Sequence, residues 1–162
     1  KAITEYNGPC YIRLNRNDYE NVTPEGKKFE IGMPSVLKEG KDIVVFATGI
    51  MAGLALKAAE ELEGKVSVKV VNVSTIKPLN REAVIQLVKD AKAVVTAEEH
   101  NIAGGMGSAI AEAICKECKP IEFVGINDTF GCSAHNYPDV LQYHGLTKGH
   151  IVEAIEKMKQ LS

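Results

Sequence analysis

Four short apolar runs alternate with longer amphipathic segments from residue 43 onward. The runs are rich in valine, isoleucine and alanine and begin about 25 residues apart, at Ile43–Ala47, Val66–Val73, Ala93–Ala97 and Ile121–Ile126. Such residues favour strands, and this spacing is typical of repeated strand-helix-strand units. Because the runs are almost wholly apolar, we expect a mostly parallel sheet covered on both faces, which is a three-layer α/β/α sandwich.

The segments between and after the runs have the pattern of helices. Apolar residues recur in each of them at helical spacing. Asn80 is a plausible cap before the second segment, whereas Gly64 and Pro120 end the first and the third. The predicted helices are Met51–Leu62, Arg81–Asp90, Met106–Glu117 and Thr147–Leu161.

The first forty residues carry a different pattern. Asn15–Gly32 is polar and contains proline and glycine, which predicts a linker. Ser35–Lys38 precedes the turn Glu39–Lys41 and predicts an antiparallel edge strand, which brings the sheet to about five strands. The strand-like run Cys10–Leu14 and a first residue other than methionine lead us to expect a fragment of a longer protein.

Length and charge narrow the classes of function. The chain has 162 residues, enough for one domain of ordinary size, and 45% of them are hydrophobic. The net charge of −2 lacks the basic excess of a protein that binds nucleic acid or anionic lipid. No apolar run approaches the roughly 20 residues of a membrane span, and four scattered cysteines are typical of reduced thiols. We expect a soluble cytoplasmic protein without a nucleic-acid or membrane partner.

The main candidate site follows the third run. Ligands of open α/β sheets bind beyond the carboxyl ends of the strands, and there Glu98–Gly107 follows a strand and opens a helix. Its backbone N–H groups could hold an anion. Gly105 and Gly107 imitate the dinucleotide fingerprint, but Ile110 replaces the third glycine. A nucleotide or phosphate site and a structural tight turn both stay open, and the missing glycine favours the turn.

His100 is the candidate general base of this segment. Imidazole titrates near neutrality, and Glu98 or Glu99 could orient it. The alternative is a histidine that bonds a neighbouring loop or subunit. No nucleophile or second acid is fixed nearby by the sequence, which favours the alternative.

Cysteines and histidines do not predict a metal centre. Cys115 and Cys118 have the spacing of a zinc-binding pair, but no second pair follows. His135, His144 and His150 are too irregularly spaced to form a ligand set. We therefore predict no metal site.

Arg13 and Arg16 lie at the end of the first strand-like run. A guanidinium group in this position suits a phosphate or a carboxylate of a ligand. A surface ion pair is the alternative, and residue type alone leaves both open.

Six motifs, taken in order, resemble the carboxyl-terminal section of transketolase, especially the form of that enzyme that is split into two polypeptides. They cover nearly the whole chain: Phe29–Gly32, Val36–Asp42, Ala47–Met51, Thr75–Leu79, Thr96–Ser108 and Tyr143–Thr147. The resemblance implies a transferase that moves a two-carbon ketol unit between sugar phosphates in the pentose phosphate pathway, using thiamine diphosphate and Mg²⁺.

The family's magnesium motif and the glutamate that activates the cofactor belong to two other domains, and neither is recognisable in this chain. The resemblance therefore implies a structural, dimer-forming domain with no catalytic residue of its own and no cofactor bound to it alone. Its partner would be an N-terminal thiamine-binding subunit or domain, in a homodimer or a heterotetramer.

The resemblance also divides the chain. Residues 1–16 correspond to the end of the preceding pyrimidine-binding domain, 17–34 to a linker and 35–162 to the transketolase C-terminal domain. Leu14–Asn17 is similar to a family segment whose arginine holds the sugar phosphate, with Asn15 in place of a serine. Arg16 is therefore the expected substrate phosphate-binding residue. The expected loop, interface or anion site consists of Glu99, His100, Gly104, Gly105 and Gly107.

Related families provide alternatives. Deoxyxylulose-phosphate synthase and the β-subunits of 2-oxoacid dehydrogenases share several of these motifs, so their C-terminal domains are possible functions. A nucleotide- or phosphate-binding regulatory module is another. One departure from the split-transketolase pattern is Phe130–Ala134, in which Cys132 stands where a glutamate is usual. We expect this loop to lie at the carboxyl edge of the sheet.

Overall fold

The computed structural model describes residues 2–15, 19–26 and 28–161. Its centre is a five-stranded sheet in the order β1-β3-β2-β4-β5. The strands are Ser35–Lys38 (β1), Ile43–Ala47 (β2), Val68–Asn72 (β3), Ala93–Asn101 (β4) and Ile121–Ile126 (β5). β1 is antiparallel to β3, and all other neighbours are parallel. The predicted sandwich with one antiparallel strand is confirmed.

β2 lies at the centre of the sheet because it has no polar side to expose. All five of its residues are buried. Val45 lies opposite Val70 of β3 and Val95 of β4, so a row of valines crosses the middle of the sheet. Fully burying each such side chain is worth about 1.5–3 kcal/mol, so this row stabilises the middle of the sheet.

Helices cover both faces of this sheet. They are Ile50–Glu61 (α1), Arg81–Val88 (α2), Met106–Ile114 (α3), Tyr137–Tyr143 (α4) and Lys148–Leu161 (α5). α1 and α5 bury Met51 and Ile155 against one face, and α2 and α3 bury Val84 and Ile110 against the other. The predicted cap is confirmed, since Asn80 Oδ1 accepts a hydrogen bond from the amide of the third helical residue at 3.0 Å. Within the described ranges, no helix has the length and apolarity to cross a bilayer.

Three features differ from the sequence-based expectations. β1 is an antiparallel edge strand as predicted, but it pairs with β3 and not with β2, which follows it in the chain. Helix α4 was not predicted, although Asn136 caps it and Pro138 lies in its first turn. Residues Cys10–Leu14 form no strand, since none of the five strands of the described residues pairs with them.

Asp42 joins three segments at the amino end of the sheet. Its carboxylate accepts a hydrogen bond from the Ser67 amide at 3.0 Å and lies 2.9 Å from Lys92 Nζ. The hydrogen bond from Lys92, and after it the one from the Ser67 amide, lowers the pKa of Asp42 below its ordinary value. Asp42 therefore fixes the start of β2 beside the segments that lead into β3 and β4.

Candidate functional site

The site predicted from the sequence lies where β4 leaves the sheet. β4 runs beyond the predicted end at Ala97 because Asn101, after a register shift, pairs with Ile126 of β5. The chain then turns and enters α3 at Met106. Side chains alternate between the two faces of a strand, so neighbouring residues at the end of β4 point to opposite sides of the sheet.

Glu98 points toward α3 and caps that helix. Its residue is 2% exposed, and its two carboxylate oxygens accept hydrogen bonds from the amides of Met106 and Gly107, each at 2.7 Å. The cap residue of the helix, Gly105, has no side chain to perform this role. The first amides of a helix lack partners within it and carry partial positive charge, which a carboxylate balances. The position predicted for an anion is therefore occupied by the chain's own Glu98.

The two glycines of the turn allow this close approach. A Cβ atom on Gly105 would collide with the Glu98 carboxylate and lie 2.6 Å from the Asn101 carbonyl oxygen. A Cβ atom on Gly107 would lie 2.6 Å from Thr96 Oγ1. Gly104 has φ +79°, in the left-handed region that favours glycine. These contacts form a structural tight turn, which was one of the two alternatives predicted for this segment.

The rest of the turn satisfies its own polar groups. The Gly104 amide donates to Ser108 Oγ, which in turn donates to the Ile102 carbonyl, both at 2.9 Å. Asn101 accepts from the Ala103 amide at 2.8 Å and donates to Asp128 at 3.0 Å. These bonds keep the turn in one shape without a ligand.

Glu99 points to the opposite face and joins the N-terminal segment to α4. Arg13 donates from Nη2 to the Glu99 carboxylate at 3.1 Å and from Nη1 to the Glu99 carbonyl at 2.9 Å. The Tyr137 hydroxyl donates to the other carboxylate oxygen at 2.7 Å. Of the two alternatives for Arg13, the structure shows the ion pair.

Tyr137 is held as a neutral phenol. Burial first, and then hydrogen bonds with Tyr19 and Glu99, raise the pKa of Tyr137 above its ordinary value. The phenol therefore keeps its proton and remains a donor to Glu99. Tyr137 was not among the residues predicted from the sequence, and the signal that could have found it is the helix cap at Asn136, immediately before it.

His100 is not paired with either glutamate. The residue is exposed, and its Nδ1 lies 2.9 Å from the Asn101 carbonyl oxygen. Since Glu98 and Glu99 bind other groups, the carboxylate-oriented general base does not form among the described residues. A role for His100 at an interface stays a prediction.

The other residues considered as candidates from the sequence do not form one site. Arg16, the expected phosphate-binding residue, lies outside the described residues. Cys115 and Cys118 are exposed near the end of α3, and Cys132 Sγ lies 3.6 Å from His144 Nε2. In the part of the chain that the structure describes, no three His, Cys, Asp or Glu side chains gather as a metal site.

The fold and the site are those of an α/β domain in which the carboxylates at the carboxyl edge of the sheet bind other groups of the same chain. The family model for the transketolase C-terminal domain matches residues 32–151. The chain belongs to this family.

Individual relatives agree with this family. A 6-deoxy-6-sulfo-D-fructose transketolase subunit of Clostridium sp. is 41% identical over 98% of this chain and 49% of its own length. A putative transketolase C-terminal section of Methanocaldococcus jannaschii is 41% identical over 99% of this chain and 51% of its own. More distantly, a 1-deoxy-D-xylulose-5-phosphate synthase of Heliobacterium modesticaldum is 34% identical over 98% of this chain and 25% of its own.

A solved structure has the same fold. It is described as a split gene transketolase in an inactive β4 tetramer, and it superposes with a TM-score of 0.83 at 39% identity, covering 90% of this chain and 48% of that one. The chain thus spans about half the length of these transketolase relatives.

Proposed function

We propose that this chain is the structural C-terminal part of a complete transketolase, which transfers a two-carbon ketol unit between sugar phosphates. The thiamine-binding part of the enzyme lies in another subunit or domain. In this proposal the chain has no activity alone and contributes to an oligomer, either a dimer or a heterotetramer. The cytoplasmic location and the place in the pentose phosphate pathway stay predictions.

The closed carboxyl edge of the sheet carries this proposal. A ligand there would need free donors at the start of α3, and the amides of Met106 and Gly107 already bind Glu98. Glu99 is likewise bound to Arg13 and Tyr137. The polar groups at this edge are therefore already bonded within the chain. In this proposal the edge is a fixed surface that supports an adjoining active site.

In the part of the chain that the structure describes, the polar groups at the carboxyl edge of the sheet do not fit thiamine diphosphate with Mg²⁺. Such a site needs several carboxylate or carbonyl oxygens arranged around the metal beside the diphosphate. The carboxylates at the edge are instead neutralised by amides, a guanidinium group and a phenol. We therefore assign the cofactor to the companion part of the enzyme.

The division of the chain follows from the same proposal. Residues 1–16 end the preceding pyrimidine-binding domain, 17–34 form a linker and 35–162 form the C-terminal domain. Arg16 would bind the phosphate of the sugar substrate. Arg16→Ala should then raise KM for phosphorylated sugars, and an unchanged KM would remove this role.

Reconstitution tests the proposed function. The chain is combined with the thiamine-binding companion of the same organism, and ketol transfer from xylulose 5-phosphate to ribose 5-phosphate is measured with the cofactor present. Because relatives act on other sugars according to their names, 6-deoxy-6-sulfofructose and apulose 4-phosphate are included as donors. Turnover that requires both parts supports the proposal, and an assembled pair that transfers no ketol unit contradicts it.

Deoxyxylulose-phosphate synthase remains the second candidate, since such enzymes match nearly the whole chain at lower identity. Formation of deoxyxylulose phosphate by the reconstituted pair, without ketol transfer, would favour it.

A further inference from the structure

The turn that ends α3 carries two cysteines three residues apart, Cys115 and Cys118. It lies at the opposite side of the sheet from the site described above, because α3 begins at the carboxyl edge and ends where β5 starts, at Ile121. Both cysteines are exposed and have free thiols. The turn therefore presents a pair of thiols to solvent.

The backbone keeps the two cysteines within one helical turn. Cys115, which follows the last residue of α3, still has helical angles, with φ −56° and ψ −26°. The Glu117 amide donates to the Ile114 carbonyl at 2.9 Å, so the chain makes a further tight turn there. In helical geometry, residues three apart have Cα atoms about 5 Å apart. This spacing lies within the roughly 4.4–6.8 Å that a disulfide requires.

The Cys118 side chain is not needed to hold the turn. Its Sγ atom lies 3.9 Å from the Lys116 carbonyl oxygen, and a thiol is only a weak donor. Cys118 has φ +50°, in the left-handed region in which glycine commonly ends a helix. Glycine would suit this backbone better, and what a cysteine adds at this position is the thiol.

The segment after the turn is fixed to the rest of the domain. Lys119 Nζ donates to the carbonyl of Ala91 at 2.7 Å and to that of Lys89 at 3.2 Å, between α2 and β4. The Pro120 carbonyl accepts from the Val94 amide of β4 at 2.9 Å. The two thiols are thus held between a helix that packs on the sheet and a strand that belongs to it, and they remain close together in the folded chain.

We propose that Cys115 and Cys118 form a modification site, which reacts with a low-molecular-weight disulfide of the glutathione type and becomes an intramolecular disulfide. One protein thiolate attacks the small disulfide, which gives a mixed disulfide and releases one small thiol. The second protein thiolate attacks the cysteine sulfur of the mixed disulfide, and the second small thiol leaves. The two protein thiols are oxidised, the small disulfide is reduced to two thiols, and these take up the two protons of the protein thiols.

The disulfide fixes the end of α3. It closes a short loop, from Cys115 to Cys118, and so limits the conformations of the unfolded chain. For a loop this short in a chain of this length, the melting temperature should rise by about 4 °C. Excess reduced glutathione should reverse the effect, because the thiol pair and the disulfide exchange by the same steps.

Mass spectrometry of the intact chain tests the modification. Cys10→Ser and Cys132→Ser together leave Cys115 and Cys118 as the only thiols. After incubation with oxidised glutathione, most chains should have lost two hydrogen atoms, and dithiothreitol should restore the reduced mass. A chain that stays reduced, or that only gains glutathione, would overturn the proposal.

A matched control tests the geometry. Glu117→Cys combined with Cys118→Ser, in the same background, keeps two thiols but places them two residues apart, where side chains of a helical turn do not face each other. We expect about tenfold less intramolecular disulfide in this control. Equal melting temperatures of the two reduced proteins check that both are folded. Equal yields of disulfide in the two proteins would overturn the assigned geometry.

Thermal unfolding of the oxidised and reduced forms tests the effect on α3. The oxidised chain with Cys115 and Cys118 should melt about 4 °C higher than its reduced form. A disulfide that forms but leaves the melting temperature unchanged would overturn the claim that it fixes the end of the helix.

Discussion

Replacing Glu98 by glutamine tests whether the Glu98 carboxylate stabilises the turn by binding the first amides of α3. The side chain keeps its size, but its amide has one oxygen where the carboxylate has two. One of the two backbone amides, from Met106 or Gly107, would then face an NH₂ group in a site that is 2% exposed. Hydrogen bonds to charged groups contribute about 1.5–3 kcal/mol, and an unsatisfied buried donor costs about 1–3 kcal/mol. We expect a loss of about 2–4 kcal/mol in the free energy of unfolding.

The measurement is urea unfolding of the wild type and of Glu98→Gln, followed by circular dichroism. A loss of this size should also lower the melting temperature by about 5–15 °C in a chain of this length. Glu60→Gln is the matched control, since it removes the same charge from an exposed position on α1. A stability of Glu98→Gln within 0.5 kcal/mol of the wild type, like that expected for the control, would refute the reasoning.

Other outcomes follow from particular contacts. Gly107→Ala should cost about 1–3 kcal/mol in unfolding experiments, because its Cβ would overlap neighbouring atoms, whereas Gly131→Ala, with open space around it, should have almost no effect. The pKa of Asp42 is lowered in the folded state, so its contribution to stability should be complete above about pH 5 and disappear as the pH falls below about 4. Asp42→Asn should therefore destabilise the protein near pH 7 and much less near pH 3; an equal loss at both pH values would contradict this.

Most of the fold could be predicted because single capping residues and short hydrophobic patterns determine where its helices and strands lie. The apolar run Ile43–Ala47 indicated a buried central strand, and Asn80 indicated the start of a helix. Both follow from local chemistry. The neighbour of β1 could not be predicted, since pairing with β3 instead of β2 depends on how the whole sheet assembles.

The site was predicted less completely. Gly105 and Gly107 marked a close approach, but the sequence did not indicate which group approaches them. Glu98 and Glu99 are identical in type and adjacent. Only the alternation of β4 between two faces makes Glu98 a helix cap and Glu99 the partner of Arg13 and Tyr137. Tyr137 was missed because its partners are distant in the sequence and become neighbours only in the folded chain.

Calorimetric titration with thiamine diphosphate and Mg²⁺ tests most directly whether this chain supports a site that another polypeptide completes. The titration is performed with the chain alone and with the chain assembled with its thiamine-binding companion. We expect no heat of binding for the chain alone at millimolar cofactor and saturable binding for the assembly. Tight, saturable binding by the chain alone would contradict the account.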